Sequence, residues 1–77
     1  MDIGKYRALL RTVEMGNITR AAEELGYTQS GLTHMMNSLE KDVGFPLLVR
    51  GRTGVRLTPA GQRVFPLVQE CLQGAEA

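Results

Sequence analysis

The stretch ITRAAEELGYTQSGLTHMMNSLEKDV, residues 18–43, decides the fold. Its second half is one amphipathic helix. Leu32, Met36, Leu39 and Val43 recur at i, i+4, i+7 and i+11, which stacks all four on one side. Thr28 is suited to cap this helix, which is expected over Gln29–Val43. Gly44 ends it and Pro46 bars its continuation. Ahead of it, Thr19–Leu25 predicts a short helix with Thr19 as N-cap and Ile18 packing back onto it. Ala21, Ala22 and Leu25 give that helix a narrow face, and small alanines let a second helix come close. Gly26, Tyr27 and Thr28 are all that separates the two. Two helices joined by so short a turn form a helix-turn-helix.

Working outward, Ile3, Tyr6, Leu9, Leu10 and Val13 predict a first helix over Ile3–Met15, stopped by Gly16. After the central helix, Leu47–Arg50 and Val55–Leu57 are short β-prone runs around Gly51-Arg52-Thr53-Gly54, which reads as a hairpin. Thr58 as N-cap and Pro59 at the first helical position start a last helix. Its broad apolar side carries Ala60, Val64, Leu67, Val68, Cys71, Leu72 and Ala75. Pro66 is expected to remove one backbone hydrogen bond or bend that helix. The fold expected is mostly α: a winged helix-turn-helix with a three-helix core, a two-stranded wing and a long C-terminal helix. Residues 1–58 form the winged unit and 59–77 the last helix.

Composition narrows the function. The chain's 77 residues suit one domain, with a core small enough that stability is modest without a partner. The single Cys71 cannot make an internal disulfide, and with His34 the only histidine a zinc site is implausible. No metal or cofactor is expected. A reducing cytoplasm fits this cysteine usage. No apolar run approaches the ~18 residues of a membrane span, and the N-terminus does not resemble a secretory signal. Net charge is only +1, but residues 44–69 hold Arg50, Arg52, Arg56 and Arg63 with no acid, whereas residues 12–24 hold Glu14, Glu23 and Glu24 against one base, Arg20. Such a chain can still turn one positive face to phosphate.

With the apolar stripe inward, the central helix presents Ser30, Thr33, His34, Asn37 and Lys41, with Gln29 in its first turn. Hydroxyl and amide side chains hydrogen-bond to base edges, and Asn and Gln suit adenine. The N–H groups at Gln29 and Ser30 favour a phosphate oxygen, and Lys41 suits phosphate better than bases. The face is otherwise an ordinary solvated one. Against that stands its near-lack of charge before Glu40 and its place just after a short helix and tight turn. His34 either donates to guanine or phosphate, or is simply exposed. The wing is either an edge guarded by charge or a clamp on phosphate or minor groove, and the lack of local acid favours the clamp. Arg52 and Thr53 at its tip are the contact candidates. Arg50 and Arg56 are read as partly structural. Cys71 reads as core or interface filler.

Taken together, Ala21-Ala22, Leu25, Gln29, Leu32, Leu39-Glu40, Gly44, Pro46-Leu47, Arg50, Leu57-Thr58 and Ala60-Gly61 resemble the N-terminal domain of LysR-type transcriptional regulators. The resemblance covers nearly the whole chain. It implies a cytoplasmic, sequence-specific regulator bound to a double-stranded DNA operator. It also implies that residues 59–77 are a long C-terminal linker and dimerisation helix joining a homodimer (a homotetramer at full length), and a C-terminal co-inducer domain. The chain stops at Ala77, where that domain is expected, so a DNA-binding fragment is expected, with a short stand-alone protein as the alternative. The candidate DNA contacts are Thr28, Gln29, Ser30, Thr33, His34, Asn37, Arg52 and Thr53, and the dimerisation residues are Val64, Val68, Cys71 and Leu72. Family members commonly have proline at Ser30 and arginine or lysine at His34. Losing that cation weakens contact with phosphate or guanine, so an unusual operator is expected. Gly31 replaces a frequent alanine at a cost of roughly 1 kcal/mol of helix stability unless packing relieves it.

The competing reading is a winged-helix protein-interaction module without DNA binding. No nucleophile–base pair, carboxylate pair or phosphate loop supports an enzyme.

Overall fold

A computed structural model describes residues 3–76. In chain order the elements are α1 (Ile3–Met15), α2 (Ile18–Leu25), α3 (Gln29–Val43), β1 (Leu48–Gly51), β2 (Gly54–Leu57) and α4 (Pro59–Glu76). Met1, Asp2 and Ala77, the outer ends of the two expected segments, lie outside the described residues. So does the side chain of Ala75.

The expected α3 stripe is the centre of the core. Leu32, Met36 and Leu39 are fully buried with Ala8 and Leu9 of α1, Ala21 and Ala22 of α2, and Leu47 and Leu48 beyond α3. Val43 is partly buried at the edge of the same cluster. Thr12 is the one buried polar residue in the described region, and its hydroxyl donates to the Ala8 carbonyl at 2.7 Å, so it carries no unmet hydrogen bond. At the rim, Lys5 Nζ donates to Ser38 at 2.9 Å, tying α1 to α3. Arg11 Nη2 meets Glu24 Oε1 at 2.6 Å, tying α1 to α2. The hydrogen bond to Glu24, foremost, raises the Arg11 pKa further above its usual value.

The helix ends follow local chemistry. Thr28 Oγ1 accepts the Gly31 N–H at 3.0 Å, and Thr58 Oγ1 accepts the Gly61 N–H at 2.9 Å, so both expected caps form. Gly26 and Gly44 close α2 and α3 in the left-handed conformation, at φ 80° and 90°. The cap of α2 differs from expectation. Asn17 caps it, its side chain accepting the Arg20 N–H at 2.9 Å, and the helix starts at Ile18. Asn is among the strongest N-caps and outcompetes Thr19 two residues on. This frees the Thr19 hydroxyl for another partner.

Pro66 does not break α4, which runs unbroken from Pro59 to Glu76. Pro66 and Gln62 are both exposed, so the carbonyl deprived of its helical donor lies on the solvent side, where it is open to water.

β1 and β2 pair antiparallel, from Leu48 opposite Leu57 to Gly51 opposite Gly54, leaving Arg52 and Thr53 as the turn. Leu47, expected in the strand, lies just before it. It is buried, and its N–H donates to Glu40 rather than to the ladder.

Candidate nucleic-acid interface

The polar side of α3 is uncovered. Thr28, Gln29, Ser30, His34 and Asn37 are exposed and Thr33 is half-buried. Gln29, Ser30, Thr33, His34 and Asn37 line a shallow, open depression of about 560 Å³. Gln29 and Thr33 also line a cleft of about 470 Å³ between α2, α3 and the wing, whose far wall includes Arg52 and Thr53. The two depressions therefore share residues and form one concave surface. One side is the α3 face, and the other is the exposed tip of the hairpin. Seven of the eight candidate contacts, Gln29, Ser30, Thr33, His34, Asn37, Arg52 and Thr53, meet there; Thr28 stands at the edge as the α3 cap.

Within this surface the side chains are ordered by local bonds. Thr19 Oγ1 donates to Gln29 Oε1 at 3.0 Å, across the helix-turn-helix. The Ser30 hydroxyl lies 3.4 Å from that of Thr28. A Cβ at Gly31 would stand 2.9 Å from Thr28 Oγ1, so glycine leaves the cap room and offsets its own helix cost.

The wing is held at three points. First, the Val55 N–H donates to the Gly16 carbonyl at 3.0 Å. Gly54 has φ +116°, and a Cβ there would lie 2.2 Å from that carbonyl, so the close approach needs glycine. Second, Glu40 Oε2 accepts the N–H of Leu47 at 2.6 Å and of Leu48 at 3.0 Å, while Oε1 faces Arg50 at 3.4 Å. Third, the Thr58 N–H donates to the Leu47 carbonyl at 2.9 Å and its hydroxyl to the Pro46 carbonyl at 2.7 Å. Gly61 packs against that turn so closely that a Cβ would meet the Leu47 carbonyl at 2.5 Å.

Arg50 is thus engaged with Glu40, as its partly structural reading anticipates, and the arginine-rich segment does have an acid beside it. Glu40 sits on α3, outside the acid-free window. Arg52 and Arg56 are exposed.

Sequence reasoning missed Thr19, Glu40 and the Gly16–Gly54 approach as contributors to this surface. Asn17 was legible as the stronger cap, and would have released Thr19. Nothing in the local spacing marks Glu40 as the acceptor for Leu47 and Leu48.

The candidate dimerisation residues lie together on α4. Val68 and Leu72 turn inward and are buried, Val64 is half-buried and Cys71 is exposed. With Tyr6 and Leu67 they line an apolar groove of about 200 Å³, and Leu67 is 64% exposed on its rim. Among the described residues, no group of three or more His, Cys, Asp or Glu side chains is placed to hold a metal ion. No helix there is long and apolar enough to cross a membrane.

Comparison with known proteins identifies the family and the fold. The family described as bacterial regulatory helix-turn-helix protein, lysR family, matches residues 3–62. The chain is 41% identical over 73 residues to the probable HTH-type transcriptional regulator LrrA of Synechococcus elongatus, an alignment covering 95% of this chain and 25% of that one. Its structure is similar to that in the crystal structure of the CbnR DBD–DNA complex, with a TM-score of 0.91 and 32% identity over 99% of this chain and 87% of that chain. A BenM DBD in complex with benA site 1 DNA gives the same TM-score of 0.91 at 29% identity, over 99% of this chain and 85% of that one. The chain spans about a quarter of the length of the curated relatives it matches.

Proposed function

This chain belongs to the lysR family of bacterial regulatory helix-turn-helix proteins, and from that premise we propose that it reads double-stranded DNA in transcription regulation. The observation that carries the proposal is the single concave surface joining the uncharged, exposed face of α3 to the wing tip through Gln29 and Thr33. In this reading α3 enters the major groove. Gln29, Thr33, His34 and Asn37 meet base edges, and Ser30 with the first-turn N–H groups meets phosphate. Arg52 and Thr53 on the wing grip the flanking backbone or minor groove. Thr28 contributes by holding the first turn of α3 in shape.

The regulator acts as a homodimer, with recognition helices in major grooves about one turn, ~34 Å, apart. The apolar side of α4 supplies the contact between copies through Leu67, Val64 and Cys71, while Val68 and Leu72, buried within the chain, support that side from inside. A homotetramer and a co-inducer domain belong to a full-length protein of the relatives' size. The setting is the cytoplasm and the role is regulatory rather than enzymatic.

Selection of bound duplexes from a random pool tests the proposal. A reader enriches a two-fold symmetric site, and its affinity falls steeply as salt rises. A protein-interaction module would enrich nothing, and Arg52→Ala would leave its behaviour on duplex unchanged.

A further inference from the structure

Gln29 is oriented before any duplex arrives. The Thr19 hydroxyl, in the first turn of α2, donates to Gln29 Oε1 at 3.0 Å over the cleft that faces the wing. Both residues are exposed, so the packing of the core does not require this bond. An amide free to turn can offer adenine two contacts, its oxygen accepting from N6 and its amino group donating to N7. Here the oxygen is directed toward α2 and already accepts from Thr19. A second lone pair remains on it, but adenine N6 has to reach that oxygen where it is held, beside the threonine hydroxyl. The amino group is the end of Gln29 left for a base. Guanine offers that group two acceptors, N7 and O6, whereas the adenine amino group would set donor against donor. Fixing the side chain in advance also removes part of the ordering cost of a contact.

We propose that Thr19 is a positioning residue that determines specificity: it presents Gln29 as a hydrogen-bond donor and so directs it to guanine rather than adenine. The inference rests on the duplex-reading role of α3 argued above. Thr19 acts through Gln29 and need not touch DNA.

The test is selection from a random duplex pool with the full chain and its Gln29→Ala, Thr19→Val and Thr19→Ser variants. Affinities are then measured on the selected site, its single-base changes and an unrelated duplex. Valine keeps the shape of threonine and cannot donate; serine can. Gln29→Ala identifies the base pair that Gln29 reads. At that pair the unmodified chain prefers guanine. Thr19→Val lowers the guanine-over-adenine ratio about tenfold, within the range one bidentate base contact supplies. Thr19→Ser restores it. In the two Thr19 variants, affinity for the unrelated duplex and the thermal unfolding midpoint stay unchanged. An unaltered ratio in Thr19→Val overturns the inference, as does adenine preference in the unmodified chain, or an insensitive Gln29→Ala. Equal weakening on every duplex overturns it too, because it marks Thr19 as a phosphate contact. If the unmodified chain enriches no sequence, the duplex-reading role falls first and this inference with it.

Discussion

Glu40 Oε2 accepts the Leu47 N–H at 2.6 Å, and this contact fixes the chain as it leaves α3 for the wing. The same oxygen takes the Leu48 N–H at 3.0 Å. Leu47 and Leu48 are both buried, so their N–H groups have little access to water if the carboxylate is removed. Glu40→Ala is expected to lower stability by about 2–4 kcal/mol, the cost of two orphaned buried donors. Glu40→Gln keeps one oxygen able to accept both N–H groups but loses the charge and sets its amino group against Arg50, so it is expected to cost less than the alanine variant. Urea unfolding measures both, and an alanine variant within about 0.5 kcal/mol of the parent would remove Glu40 from this role.

Gly54 and Gly16 make a second such contact. The Gly54 backbone sits at φ +116° with no room for a Cβ against the Gly16 carbonyl. Gly54→Ala therefore combines backbone strain with a steric clash, and is expected to cost at least about 1–3 kcal/mol. The wing is the element that yields, so the Val55 amide, which donates to Gly16, loses hydrogen-exchange protection while the core amides of α3 keep theirs. Gly51→Ala is the control. Nothing lies within 4 Å of a Cβ there, and a change under about 0.5 kcal/mol is expected. Equal effects at the two glycines would refute the close-approach account.

These two contacts mark where the sequence stops being readable. The stripe Leu32, Met36, Leu39, the caps Thr28 and Thr58 and the stops Gly26 and Gly44 are local chemistry, decided within a turn or two of helix, and spacing alone reveals them. Thr19 shows the limit. It lies two residues from a stronger cap, Asn17, and its actual partner, Gln29, is on the next helix. Glu40 with Leu47 and Gly16 with Gly54 pair only once the chain has turned back on itself. The candidate contact face was legible because it is the complement of a core stripe, whereas what holds the wing beside it was not.

Under the proposed role, Thr33 and Arg52 are expected to divide the labour on DNA. Thr33 lies where the α3 face and the cleft meet, and Arg52 stands at the wing tip. Thr33→Ala is expected to cost about 1–3 kcal/mol on the selected operator and to relax preference at one base pair. Arg52→Ala weakens all duplexes alike and lowers the salt slope by about 1. Arg50 is already engaged with Glu40 at 3.4 Å, so Arg50→Ala changes that slope less than Arg52→Ala. Binding titrations at several salt concentrations on matched and unrelated duplexes separate the three. Identical losses on every sequence for Thr33→Ala and Arg52→Ala would erase the division between base reader and backbone clamp.

On α4, Leu67 and Leu72 are expected to separate assembly from folding. Leu72 is 3% exposed and Leu67 is 64% exposed, although both line the same apolar groove beside Tyr6. Truncating Leu72 leaves a cavity inside one chain, so Leu72→Ala is expected to cost about 2 kcal/mol or more of the chain's own stability. Leu67 has few neighbours to lose within the chain. Leu67→Lys places a charge where a second copy is to pack, which costs the pair rather than the fold. Sedimentation should show Leu67→Lys shifted toward monomer with its unfolding midpoint little changed when measured at a concentration where the parent is also monomeric. Half-site binding should survive in that variant while cooperative binding to the two-fold site is lost. A Leu67→Lys chain that sediments as the parent does would move the contact between copies off this side of α4.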